Sequence, residues 1–144
     1  MDKVIVCFQK IVISLILIIM LVSCSAASTQ QKEIMVRISE IEIDSNYLNE
    51  YKAILKEESE ASVRLEPGVI SIFPMYQKEN PTEVRILEIY ASREEYESHL
   101  KTPHFQHYKT TTQKMVKSLK LVDMETIDAK TMTKIFKKIE KGGK

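Results

Sequence analysis

Between Ile34 and Asp128 the apolar residues switch from every second position to a helical period and back, twice, and this order constrains the fold more than any other feature. In IMVRISEIEI, Ile34, Val36 and Ile38 share one phase and Ile41 and Ile43 the other. That predicts a strand with an irregularity near Ser39–Glu40. Asp44 or Ser45 then stands where a helix N-cap is wanted. Tyr47, Leu48, Tyr51, Ile54, Leu55, Ala61 and Leu65 fall at helical spacing with Glu and Lys between them. The predicted helix must stop before Glu66-Pro67-Gly68. GVISIFPMYQ is β-branched and aromatic, a strand in which Pro74 demands an edge or a bulge. KENPTE reads as a turn, and EVRILEIYA, Glu83 to Ala91, as the clearest strand.

Ser92 with Glu95 three residues on forms a capping box, opening a short helix from Arg93 to about Lys101. Pro103 interrupts it and suits the first turn of a second helix, His104 to about Ser118. Phe105, Tyr108, Met115, Val116 and Leu119 give that helix its apolar stripe, and LKLVDMETID, Leu119 to Asp128, supplies a last strand. The order is β-α-β-β-α-β with a split second helix, a ferredoxin-like α+β arrangement. Its antiparallel sheet carries helices on one face only, so the other face needs a cover. Two-fold self-association through that face is the expected solution.

The chain before this domain is of another kind. Lys3 and Lys10 flank a short leader, and Ile11 to Val22 are uncharged, too few for a spanning helix of ~20 residues. A charged start, an apolar stretch and then small residues make a secretory signal. LVSC, Leu21 to Cys24, followed by SAAS, resembles a bacterial lipobox. That likeness implies a signal peptide over 1–23, acylation of Cys24 and a polar tether over 24–33. The competing reading is a plain secretory peptide cut near SAAS. With Cys7 removed and Cys24 acylated, no thiol remains for disulfides, thiolate metal sites or nucleophiles. The expected location is the cell envelope. No inner-membrane retention signal is evident after the cysteine, which favours the periplasmic side of an outer membrane.

Charge excludes one class of partner. The chain has 21 basic and 20 acidic residues, and removing Lys3, Lys10 and Asp2 leaves the mature form neutral. The tail over 129–144 holds six Lys against Glu140 alone, so the body over 34–128 is acidic. A nucleic-acid binder would carry a basic body. In the tail Met132, Ile135, Phe136 and Ile139 share a helical stripe opposite the lysines, suited either to an anionic membrane surface or to docking on the domain.

Two segments go beyond periodicity. ASVRLEPGVISI, Ala61 to Ile72, runs a helix end through Glu-Pro-Gly into a strand. EIYASREEYESHLKTPHFQHY, Glu88 to Tyr108, carries Glu88, Tyr90, His99, Thr102, Pro103 and Phe105 in a strand–helix–break pattern. Together they resemble the antibiotic biosynthesis monooxygenase (ABM) family, and in particular its small quinol-monooxygenase-like members, over Ile34 to Ile127. The resemblance implies a dimeric α+β barrel, with sheets packed face to face and an apolar pocket in each protomer. It implies a monooxygenase that uses dioxygen on a quinol-like or phenolic aromatic compound without metal, flavin or haem. A non-catalytic, dimeric small-ligand-binding lipoprotein on the same fold is the alternative. Related haem-degrading proteins use an Asn/Trp/His arrangement. Here those positions hold no Asn in Ile34 to Ile43, His99 for the Trp and Lys109 for the His, which disfavours haem chemistry.

The candidate catalytic residues are His99 and Glu88. His99 matches the family histidine, and a neutral imidazole can accept a phenolic proton. It can equally pack under the helix break and bond a backbone carbonyl there. Glu88 lies in phase with Val84, Ile86 and Tyr90, where an unpaired carboxylate is costly. It therefore faces a polar pocket, partners His99 or makes a structural hydrogen bond. Tyr90, Phe105, Tyr76 and Phe73 are candidate substrate-binding rings, with Tyr108 beside them, or plain core. A metal site built on His99, His104 and His107 is not expected. Pro103 separates the first from the other two, no acid lies between His99 and Tyr108, and His104 and His107 read as solvent-side residues. No glycine-rich nucleotide motif is possible with three Gly in the chain.

Overall fold

Four strands form one antiparallel sheet: β1 (Met35–Ile43), β2 (Val69–Tyr76), β3 (Glu83–Tyr90) and β4 (Val116–Met124), in the spatial order β2-β3-β1-β4. Helix α1 (Leu48–Leu65) joins β1 to β2, the pair α2 (Arg93–His99) and α3 (Pro103–Thr112) joins β3 to β4, and α4 (Ala129–Gly142) follows β4. This is the expected ferredoxin-like α+β fold. The computed structural model describes residues 33–142, all within the unit Lys32–Lys144. The expected signal segment, Cys24 and the tether up to residue 32 lie outside the described residues. Among the described residues no helix is long and apolar enough to cross a membrane.

β1 alternates without interruption. Met35, Arg37, Ser39, Ile41 and Ile43 are buried on the helix-covered face, and Val36, Ile38, Glu40 and Glu42 between them are half-buried on the other. The irregularity expected near Ser39–Glu40 is not there. It falls between Glu42 and Ile43, in the register with β4. The apparent change of phase arises because two inward positions are polar, Arg37 and Ser39. Pro74 lies on β2, an edge strand, where its missing N–H costs no ladder bond.

Asp44 caps a 3-10 turn, Ser45–Tyr47, by accepting from the Asn46 N–H at 2.9 Å, and α1 continues from it. The buried stripe of α1 is Tyr51, Leu55, Glu58, Ser59 and Ser62. Apolar residues alone pointed to Ala61 and Leu65, but Leu65 is 57% exposed. Polar side chains therefore occupy the inner face of the last two turns. Glu66 closes the helix in an extended conformation, as a residue before proline must, and Gly68 packs closely against the Glu95 side chain.

Ser92 caps α2 as expected, its hydroxyl accepting from the Glu95 N–H. Thr102 caps α3 in the same way and also donates to the His99 carbonyl at 2.8 Å, so one side chain bridges the break on both sides of Pro103. α3 ends at Thr112, earlier than the expected Ser118. Thr110 and Thr112 turn their hydroxyls back onto the carbonyls of Gln106 and Tyr108, a habit that competes with helix continuation. A 3-10 turn, Gln113–Met115, then buries Met115 completely, and the Met115 carbonyl accepts from the Asp44 N–H at 2.9 Å. β4 starts at Val116 and ends at Met124, short of the expected Asp128. Asp128 instead accepts from the Lys130 N–H and the Thr131 hydroxyl at the start of α4.

The core lies between the sheet and α1 around Ile41, Ile43, Tyr51, Leu55, Val84 and Met115. The opposite sheet face carries Phe73, Met75 and Met124, which are 57%, 40% and 47% exposed. On α4, Ile135 and Ile139 are exposed. Ile43 is fully buried at the β1 end that both Thr82 and Val116 clasp. Ile43→Ala should therefore lower the unfolding free energy by about 2–5 kcal/mol in urea titration, through lost burial and an uncollapsed cavity.

Candidate active site

A cavity of about 510 Å³ lies between the inner face of the sheet and the three helices that cover it. The strands contribute Arg37, Ser39, Glu88 and Tyr90, and the helices contribute Glu58, Tyr96, His99, Phe105 and Tyr108. Leu119 and Leu121 project from edge strand β4 into the same space while remaining 58% and 48% exposed, so the cavity opens at that edge. The polar inward phase of β1 thus faces a hollow rather than packed side chains.

Glu88 is held by two hydroxyl donors. Ser39 donates to one carboxylate oxygen and Tyr90 to the other, the latter at 2.9 Å. Burial pushes the Tyr90 phenol up from its ordinary value, and the Glu88 charge adds to that, so the phenol remains a donor. Glu88 is thereby the polar group of the sheet wall, and its bonded partners are Ser39 and Tyr90 rather than His99.

His99, the last residue of α2, is 2% exposed. Its ring lies 4.7 Å from Phe105 and 5.5 Å from Tyr90, centroid to centroid. Its Nδ1 meets the Glu66 carboxylate, 3.0 Å from Oε1 and 3.3 Å from Oε2. Its Nε2 stands 3.6 Å from Glu58 Oε1, beyond hydrogen-bond reach. Glu58 accepts from the Ser62 hydroxyl at 2.9 Å. Burial pushes the Glu58 carboxyl up, and the Ser62 bond and the two histidines offset this only in part. A carboxylate only accepts hydrogen bonds, so the His99 nitrogen that meets Glu66 is the donor of that pair.

His104 is not the solvent-side residue expected. Its Nε2 is 2.5 Å from the same Glu66 oxygen, and its side chain is 19% exposed. The short turn through Thr102 and Pro103 folds α3 back toward α2, the condition under which His99 and His104 can meet. The acid missing from the His99–Tyr108 segment is supplied by Glu66 at the end of α1. The donor atoms of Glu66, His99 and His104 lie within 4.8 Å of one another, so these residues could hold a divalent ion. As they stand, the carboxylate is a common acceptor for two rings. His107 is exposed and stands outside this group.

Further contacts brace the residues around the cavity. The Tyr51 and Tyr108 hydroxyls lie 2.8 Å apart. At one end Arg37 bonds Asp123 at 2.7 Å and lies 4.5 Å over the Tyr96 ring, while Arg93 takes the other Asp123 oxygen at 3.1 Å. The Arg37 hydrogen bond holds the exposed Asp123 carboxyl below the usual range.

Of the candidate residues, the structure brings His99, Glu88, Tyr90 and Phe105 to one cavity. It does not bring Phe73 or Tyr76 there. Phe73 pairs with Leu87 in register and faces the uncovered side of the sheet, as strand alternation requires. Tyr76 ends β2 in a separate groove against α1, with the Lys52 ammonium 3.5 Å over its ring. Sequence reasoning missed Glu58, Glu66, Arg37 and Ser39. Glu58 and Ser62 continue the Tyr51–Leu55 stripe at helical spacing, and Arg37 and Ser39 share the Ile41–Ile43 phase. Those placements were available to a reading of period alone, without regard to polarity.

Residues 34–111 match the family model described as antibiotic biosynthesis monooxygenase. A solved structure from Bacteroides thetaiotaomicron, described as a candidate antibiotic biosynthesis monooxygenase, is 50% identical over 67% of this chain and 91% of its own, with a TM-score of 0.66. A candidate monooxygenase from Lactobacillus acidophilus is 29% identical over 66% of this chain and 45% of its own, with a TM-score of 0.64. A Nitrosomonas europaea protein shares the fold at 21% identity over 69% of this chain and 95% of its own, with a TM-score of 0.64. No curated protein matches the chain.

The phenol pair makes a measurable prediction. Burial pushes Tyr108 up to about 12 from an ordinary 10.0, against the Tyr51 bond, and pushes Tyr51 higher still. A raised folded value means this contribution to stability is whole below the ordinary value and is lost as pH rises through about 12. Alkaline difference absorbance of wild type and Tyr108→Phe should therefore coincide up to about pH 11 and separate only above it.

Proposed function

The chain belongs to the antibiotic biosynthesis monooxygenase family, and on that premise we propose that it oxygenates a small, electron-rich phenolic or quinol-like compound with dioxygen, without a metal or organic cofactor. The observation that carries this reading is one cavity reached by both His99 and Glu88 and walled by aromatic rings. A volume of about 510 Å³ falls within the usual range for small-molecule sites.

The chemistry asks little of the protein. His99 Nε2 takes the phenolic proton, and the O–H electron pair stays on the substrate oxygen. Glu88 accepts a hydrogen bond from a second substrate hydroxyl, orienting the ring against Phe105 and Tyr90. The resulting phenolate is electron-rich enough to reduce dioxygen, and the buried rings around it limit its contact with bulk water. For a hydroquinone the balance is simple: one oxygen atom enters the ring, the other leaves as water, and the substrate itself supplies the electrons. The products are a hydroxyquinone and water.

Oxygen-electrode assays with a panel of hydroquinones test the reading. His99→Ala should lower turnover about 10²–10⁴-fold, the usual worth of a positioned base. Equal and negligible uptake by wild type and variant across the panel, with saturable binding of the same compounds, would assign the cavity to a binding module instead.

The proposal extends to the setting of the enzyme. The LVSC sequence supports an acylated Cys24, and Ser25 after it, which is no inner-membrane retention signal, favours attachment to the periplasmic side of an outer membrane. The exposed apolar side chains Phe73, Met75 and Met124 support a homodimer formed through that sheet face. In detergent phase separation the full chain should enter the detergent phase and Cys24→Ala the aqueous phase. Phe73→Lys should halve the sedimentation mass of the soluble form.

A further inference from the structure

We propose that Glu66 is the positioning residue of this site: it sets the tautomer of His99 and balances the charge that His99 acquires, while His104 clamps its carboxylate. This rests on His99 acting as the base. Three observations carry it. The Glu66 carboxylate approaches His99 Nδ1 with both oxygens, at 3.0 and 3.3 Å, so the ring presents Nε2 away from Glu66. His99 is 2% exposed, and an imidazolium formed there has little water to solvate it. Glu66 is itself fixed. Its N–H donates to the Ser62 carbonyl, its carbonyl accepts from the Val69 N–H, Pro67 restrains its backbone, and His104 Nε2 bonds its Oε1 at 2.5 Å.

Glu88, one of the partners the sequence offered for His99, bonds Ser39 and Tyr90 instead. Glu58, on the Nε2 side at 3.6 Å, lies in a buried setting that disfavours its charged form. Glu66 is therefore the carboxylate placed to answer a positive ring. When the substrate O–H breaks, its proton goes to Nε2, the Nδ1–H remains on the ring, and the new charge is shared along the bond to Glu66. The arrangement is a carboxylate–imidazole pair assembled from a helix end and a helix break far apart in sequence.

Two measurements decide it. In long-range proton–nitrogen spectra of the full chain, His99 should appear as a single neutral tautomer protonated on Nδ1. In Glu66→Ala the Nε2-protonated form should gain population. A wild-type spectrum with Nδ1 bare would overturn the proposal, and this arm needs no substrate, so it stands or falls apart from the oxygenase reading. In the oxygen assay Glu66→Gln should leave KM within about twofold and lower kcat at least about tenfold, with Glu66→Asp recovering part of the loss. An unchanged kcat in a folded Glu66→Gln variant overturns the proposal. Cobalt(II) should give no visible ligand-field band with the wild type. A band that Glu66→Gln abolishes would make Glu66 a metal ligand and overturn it as well.

Discussion

The carboxylate of Glu66, shared between the rings of His99 and His104, ties the end of α1 to the junction of α2 and α3. The helical cover of the sheet depends on that tie. α2 and α3 are short, and neither carries a long apolar stripe of its own. Isolated helices of such length are marginal in water. Their position follows from the Thr102 bridge across Pro103, from the rings of Phe105 and Tyr108, and from two imidazoles converging on one acceptor. A buried polar network is stable when its members are satisfied. Among the described residues, no buried side-chain nitrogen or oxygen lacks a hydrogen-bond partner.

The same polar groups explain why there is a hollow at all. Toward the β2 side, Ile72, Val84 and Leu55 belong to the apolar core and floor the groove beside Tyr76. Toward β4, the inward positions of β1 are Arg37 and Ser39, opposite Glu58, Ser59 and Ser62 on α1. These side chains are satisfied by hydrogen bonds, Arg37 to Asp123, Ser39 to Glu88 and Ser62 to Glu58, instead of interdigitating as aliphatic groups do. The aromatic side chains then stand around the remaining space. Sheet and helices thus divide the interior into a packed core and a lined cavity.

Much of the fold could be read from period alone. Strand β3, the Ser92 cap, the break at Pro103 and the edge character of the Pro74 strand all follow from local rules. Errors arose where local apolarity and tertiary position part. The bulge expected at Ser39 and the stripe expected at Leu65 both came from following apolar residues where the inward positions are polar. The site was legible in half. His99, Glu88, Tyr90 and Phe105 sit on one motif and reach one cavity, while Phe73 and Tyr76 were drawn in only by being aromatic. Glu66 was read as a helix stop, which it is, and its side chain's role depends on contacts 33 and 38 residues away.

By itself the sequence determined the order of elements, the antiparallel sheet with helices on one face and the family motif, because caps, prolines and hydrophobic period act over a few residues. The tertiary structure decided which polar residues face inward together, which nitrogen of His99 is engaged and where the cavity opens. Those outcomes depend on side chains from four separate elements meeting at hydrogen-bond distance, and no local rule specifies such a meeting.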